Sequence, residues 1–215
     1  MKYAFALLAA CGVASVSLGQ VNAKGRFQAG LGTGLGLFNT DFSFSATYPI
    51  LGRVSKSSED GAATVSFPLD LQVGLSDKFS LGVCLEPGRY IDSAGTHPNG
   101  FFIFSLEPRF YVVNGEHFAV HINADLGLSA LRISDVQSGS KKYDDTYAGG
   151  HFRFGAQAQY YFGNTFGLNF GFKFASHSMK WRDRDPEDTT LSALDYAATL
   201  KTSGVQFQLG AQVKF

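Results

Sequence analysis

Cysteine is almost missing from this sequence: Cys11 and Cys84 are the only two in 215 residues. An excess of either charge is missing as well, since 18 basic residues balance 18 acidic ones. That balance removes the electrostatic footprint a nucleic acid or another strongly charged partner requires. No run of about 18 or more apolar residues follows the N-terminus, so no transmembrane helix is available. What is abundant is Phe, at 21 residues, and Gly, at 25, with aromatics making up 14% of the chain. That aromatic content is high for a soluble domain.

The N-terminus, M-K-Y-A-F-A-L-L-A-A-C-G-V-A-S-V-S-L-G-Q-V-N-A-K, has the parts of a secretory leader. Lys2 supplies the positive region, Tyr3 to Leu18 the apolar stretch, and Val21-Asn22-Ala23 a small-residue site that predicts cleavage after Ala23. Residues 1–23 then form the leader and 24–215 the mature domain. The alternative is a lipobox, Leu8-Ala9-Ala10-Cys11, with Cys11 acylated behind an apolar region of only about eight residues. Cleavage after Ala23 leaves Cys84 as the one thiol of the exported chain, which excludes an internal disulfide.

Period-2 alternation divides the mature sequence into eight segments, at 26–38, 64–75, 79–88, 101–112, 117–131, 148–162, 165–176 and 204–215. Most are longer than the five or six residues usual in globular strands. They match the roughly 9–11 residues of a tilted membrane-spanning strand. Ser76-Asp77-Lys78, Asn114-Gly115-Glu116 and Gly163-Asn164 are tight turns built from turn-forming residues. Polar stretches at 39–63, 90–100, 133–147 and 177–203 read as long loops. Long and short connections therefore alternate strictly. In an up-and-down arrangement that puts every short turn, with both termini, at one end and every long loop at the other.

The apolar parity of each segment is large and continuous: Leu31, Leu35 and Leu37; Phe67, Leu69 and Leu71; Phe102, Phe104 and Phe110; Phe170, Phe172 and Phe174. An eight-stranded barrel has an interior just wide enough for side chains to fill, so these groups must face outward. Such a belt would aggregate in water and is the surface that lipid requires. Arg26, Asp70, Glu86, Glu107, Arg109, Asp125, Arg153, Lys173 and Lys214 all fall on the opposite parity. A cationic side chain on the lipid face costs about 2–4 kcal/mol at the midplane, which gives that sorting a physical cause. Arg132 breaks parity only at the loop end, where it is expected to snorkel to headgroups. The expected fold is an all-β, eight-stranded antiparallel up-and-down transmembrane β-barrel. Pro87 and Pro108 sit within strands of a closed barrel and predict local bulges.

The closing segment, Gln208-Leu209-Gly210-Ala211-Gln212-Val213-Lys214-Phe215, resembles the C-terminal β-signal of bacterial outer-membrane proteins: a glycine, then spaced hydrophobics ending in an aromatic. The stretch Phe104-Ser105-Leu106-Glu107-Pro108-Arg109-Phe110-Tyr111-Val112-Val113-Asn114, followed by Phe118-Ala119-Val120, resembles the small outer-membrane β-barrel domain family, the OmpA/OmpX-type eight-stranded barrels. The resemblance implies a bacterial outer-membrane location, with long loops extracellular and termini periplasmic. It also implies contact with outer-membrane lipid and lipopolysaccharide, and reading of Gly210, Val213 and Phe215 by the barrel-assembly machinery. It names a fold and a place, not an activity.

The lumen carboxylates Asp70, Glu86, Glu107 and Asp125 and the bases Arg109, Arg153 and Lys173 are the candidate site residues, expected to form a polar plug. A small pore or proton-linked gate is the sharper alternative. His117 and His121 share the lumen parity but lie about 13 Å apart along a strand, too far to share a metal, with His151 a possible neighbour of one of them. No metal or other cofactor is called for, and Cys84 reads as a small lumen filler. A lipid A-modifying enzyme is the third reading. Its focus is Phe174-Ala175-Ser176-His177-Ser178-Met179, compared with the His-x-Ser pattern of the lipid A deacylase family. Here His177 and Ser178 are adjacent and in a strand would point to opposite faces, whereas base and nucleophile must share one. The charged segment Trp181-Arg182-Asp183-Arg184-Asp185-Pro186-Glu187-Asp188 reads as a solvated or ligand-binding loop. The expectation is a monomeric, non-catalytic barrel with a structural or surface-interaction role.

Overall fold

The computed structural model describes residues 20–48, 52–93, 98–138, 141–186 and 195–215. The leader up to Gly19, Cys11 included, and Glu187 and Asp188 of the last connection lie outside the described residues.

Among the described residues nine strands follow one another: β1 (Phe27–Tyr48), β2 (Gly52–Ser66), β3 (Leu69–Ser76), β4 (Phe79–Asp92), β5 (Asn99–Asn114), β6 (Phe118–Ser138), β7 (Lys141–Tyr161), β8 (Phe166–Asp185) and β9 (Asp195–Lys214). All pairings are antiparallel, every strand but the β2–β3 pair lies beside its neighbours in sequence, and β1 also pairs with β9, so the sheet closes on itself. The ring has eight positions because β2 and β3 are one barrel strand interrupted at Phe67-Pro68. Both pair with β1 and with β4, and β1 keeps one register across the gap, with Gly34 opposite Ser66 and Leu31 opposite Leu69. Two prolines explain the interruption. Gly32 donates its N–H to the Pro68 carbonyl at 3.0 Å and Phe67 donates to the Pro87 carbonyl at 2.9 Å, and neither imide nitrogen can return a bond.

The bulges expected at Pro87 and Pro108 do not occur. Leu85 pairs with Leu69 and Gly88 with Ser66, and Leu106 pairs with Leu126 and Arg109 with Asn123, so the register is unshifted across both prolines and only ladder bonds are lost. A one-residue slip would turn every later side chain to the wrong face. The shifts fall elsewhere, as at Ile133/Val136.

The outward face around the turn-side half is the expected belt: Leu31, Leu35, Leu37, Phe102, Phe104, Phe170, Phe172, Phe174, Phe207 and Leu209 are all exposed. The nine charged residues of the opposite parity, from Arg26 to Lys214, are all buried inside the ring. The long loops are a different matter. Most of 39–63, 133–147 and 177–203 is strand: β1 pairs with β9 from Gln28 to Thr47, and β6 with β7 as far as Ser138. The barrel wall therefore continues well past the apolar belt. Arg132 is exposed and paired with Asp144 on the next strand at 3.0 Å.

Candidate functional site

The lumen has three storeys, set by strand parity. The middle one is filled by charge. Arg153 of β7 bonds Glu86 of β4 at 2.5 Å and Asp125 of β6 at 2.7 Å. Lys173 of β8 bonds the same Asp125 at 2.9 Å and Glu107 of β5 at 2.8 Å. Arg109, also on β5, bonds Glu107 through Nε at 2.6 Å and faces Asp70 of β3 at 3.6 Å. The sequence-predicted residues thus form one chain, Glu86–Arg153–Asp125–Lys173–Glu107–Arg109–Asp70, with acids and bases alternating across the bore. Ser66 donates to Glu86 at 2.6 Å, Gln206 bonds both Glu86 and Arg153, and Ser105 lies 3.4 Å from Arg153. Buried ions are tolerable only when paired and hydrogen-bonded in this way. Cys84 is buried alongside, its sulfur 3.9 Å from Arg153 Nη2.

The turn-end storey is closed by the short segment that precedes β1, from Gln20 to Ala23. Val21 is fully buried with Tyr111, Ala119 and Tyr161, and its N–H donates to the Gly115 carbonyl at 2.8 Å. Asn22, also fully buried, donates its backbone N–H to Asn114 Oδ1 at 2.9 Å and its side-chain amide to the Ser76 carbonyl at 2.7 Å. Two of the three tight turns are thereby tied to one strap. Phe215 is stitched to the first strand by its N–H to the Phe27 carbonyl at 2.9 Å, with the two rings 6.2 Å apart. Gly210 faces Gly32 across the β1–β9 seam, and Val213 pairs with Ala29.

The loop-end storey is apolar inside. Phe38, Tyr90, Phe101, Leu131, Tyr147, Met179 and Leu200 form a buried cluster, with Phe42, Phe44, Trp181 and Tyr196 packed against it. Above it opens a cup of about 500 Å³, within the size range of small-molecule pockets.

No protein-family model matches the chain, and no curated protein matches it. Among solved structures it is similar to the outer membrane protein AlkL, at 13% identity and a TM-score of 0.51, over 90% of this chain and 92% of that one. It is similar also to the outer membrane protein OprG from Pseudomonas aeruginosa, at 10% identity and a TM-score of 0.50, over 90% and 97% of the two chains. The fold is that of a small bacterial outer-membrane β-barrel.

The barrel separates several residues that the sequence invites one to combine. His117 is exposed at the turn before β6, while His121 is buried 3.3 Å from Gln159 Nε2. His151 approaches neither; it pairs across strands with His177, ring centroids 5.4 Å apart. His177 points into the lumen and Ser178 out of it, so the two do not form a catalytic pair. The His151–His177 contact was readable only as a shared parity, because register across the β7–β8 hairpin sets the partners. Asp70, Cys84 and Glu107 bring one ligand atom each within 4.8 Å of one another, a spacing that suits a metal ion. Glu107 there is already bound by Arg109 and Lys173, which makes this corner part of the charge chain. The aromatic cup was not foreseen. Its signal lay in Phe42 and Phe44, which continue the inward parity of Gly34 and Gly36 beyond the belt.

Proposed function

We propose that this chain is an outer-membrane β-barrel with a blocked lumen and a structural or surface-interaction role at its loop end, without catalysis. One observation carries the reading: the charge chain from Glu86 to Asp70 spans the bore, and Glu86, Glu107, Asp125 and Arg153 within it have no solvent exposure. An eight-stranded ring leaves room for little beyond its own side chains. With the interior filled, the surfaces left for function are the loop end and the lipid-facing wall.

In this reading the turns and termini are periplasmic and the long hairpins extracellular, the usual arrangement for such barrels. The exposed Leu and Phe belt lies against outer-membrane lipid and lipopolysaccharide. Gly210, Val213 and Phe215 serve as the signal for the barrel-assembly machinery, and the barrel works as a monomer without nucleic acid. The test is to refold the mature chain, verify folding by heat-modifiable gel mobility, and record current across a planar bilayer. Inserted protein is expected to give no discrete conductance steps. Discrete steps would overturn the blocked reading in favour of a narrow channel lined by Glu107, Arg109 and Arg153.

A further inference from the structure

We propose that the loop-end cup binds an organic cation with an apolar or aromatic body. This rests on the reading that the loop end is the working end of the barrel. The lining gives the chemistry. Phe42, Phe44, Tyr90, Tyr147 and Tyr196 line a space of about 500 Å³. Asp60, Asp92 and Asp145 also line it, against a single base, Arg184. Arg184 does not neutralise the set, because it is engaged by Asp145 through two bonds of 2.7 Å. Asp60 is exposed and accepts from Ser93 Oγ and from the Gly61 N–H, but neither it nor Asp92 has an ion-pair partner among the described residues. Asp92 Oδ1 is buried without a hydrogen bond among the described residues, which is the costly state for a carboxylate oxygen. Aromatic faces attract cations, and more strongly once water is excluded. A lining of aromatics with two carboxylates that no described base neutralises therefore favours a cation over a neutral molecule of equal size, and disfavours an anion.

The barrel carries its own reporter. Trp181 is the only tryptophan in the chain, and it touches the cup wall twice: its ring packs edge-on to Tyr196 at 5.1 Å and its N–H donates to Asp145 at 3.3 Å. Refolded protein titrated with phenyltrimethylammonium is expected to show a saturable change in Trp181 fluorescence. Benzyl alcohol and benzenesulfonate should bind at least about tenfold more weakly, a difference of ~1.4 kcal/mol. Asp60→Asn combined with Asp92→Asn should remove most of that preference while heat-modifiable mobility is retained. Equal binding of the alcohol or the sulfonate, or no saturation by the ammonium, would overturn the proposal. The two readings fail separately. A conducting barrel that still binds the ammonium refutes the block and keeps the cup, and a silent barrel that ignores it does the reverse.

A second inference comes from the other end. We infer that the leader is hydrolysed between Gly19 and Gln20, not after Ala23. Cutting after Ala23 would discard Val21 and Asn22, which are fully buried and tie the turns at Ser76 and Asn114 together. Gln28 also donates to the Val21 carbonyl at 3.2 Å, and Arg26 to the Gln20 carbonyl at 3.0 Å. Gly74 is shaped to this strap: a Cβ there would lie 2.0 Å from the Ala23 carbonyl oxygen. Ser17-Leu18-Gly19 supplies the small residues one and three places before the cut that leader removal requires. Water adds across the Gly19–Gln20 amide, leaving the carboxylate on Gly19 and the amine on Gln20. Intact-mass and N-terminal analysis of the membrane-inserted protein should give a chain beginning at Gln20, with or without loss of ammonia by cyclisation of that residue. A chain beginning at Lys24, or at an acylated Cys11, would overturn the inference.

Discussion

The two halves of the barrel are built on one continuous alternation and carry opposite polarity. On β1, Leu31, Leu35 and Leu37 face out while Gly30, Gly34 and Gly36 face in; farther along, Asn39, Asp41 and Ser43 face out while Phe38 and Thr40 are buried inside and Phe42 lines the cup. On β8 the outward series changes from Phe170, Phe172 and Phe174 to Ser176, Ser178 and Lys180, while the inward one changes from Lys173 to Met179. The same strands thus pass from lipid to water without a break in the ladder. The core changes with them, from ion pairs to aromatics. Alternation says that a segment is a strand. Which parity is apolar says what surrounds it.

The comparison predicts that the two cores fail differently. Arg153→Ala leaves Glu86 and Asp125 buried with fewer partners, and removing one member of a buried ion pair costs about 3–5 kcal/mol. Leu200→Ala in the loop-end cluster borders an open cavity, and its expected cost is nearer ~2 kcal/mol. Urea unfolding of the liposome-inserted barrel compares the two. If Leu200→Ala is the more damaging, the aromatic cluster and not the charge chain holds the ring together.

The fold was legible wherever outward residues are apolar. The segments of the belt, their facing and the inward placement of all seven network residues follow from parity alone. Ladder length was not legible, because the outward series Asn39, Asp41, Ser43 has the composition of a solvated loop although it is hydrogen-bonded strand. Nor were partners within the network. Glu86 and Arg153 are 67 residues apart, on strands that are not neighbours, and only the closed ring brings them together. The prolines mislead for a related reason. A local rule predicts a bulge, but in a closed sheet with two distinct faces a slip costs more than a missing bond.

A pair of substitutions on one face of one strand locates the boundary between the halves. Leu31 sits mid-belt on β1, outward and 61% exposed, and Ser43 sits outward on the same strand beyond the belt. Leu31→Arg places a cation against hydrocarbon, with an expected cost of about 2–4 kcal/mol in a bilayer. Ser43→Arg meets water, with Ser57 and Thr199 as its cross-strand neighbours, so its expected effect is within about 0.5 kcal/mol. Both follow from urea titrations in liposomes. In the urea-unfolded chain both arginines face water, so the difference between the two costs reports the folded states alone. Equal costs at the two positions would place lipid along the whole wall, and the polar outward series of the loop-end half would then have no physical cause.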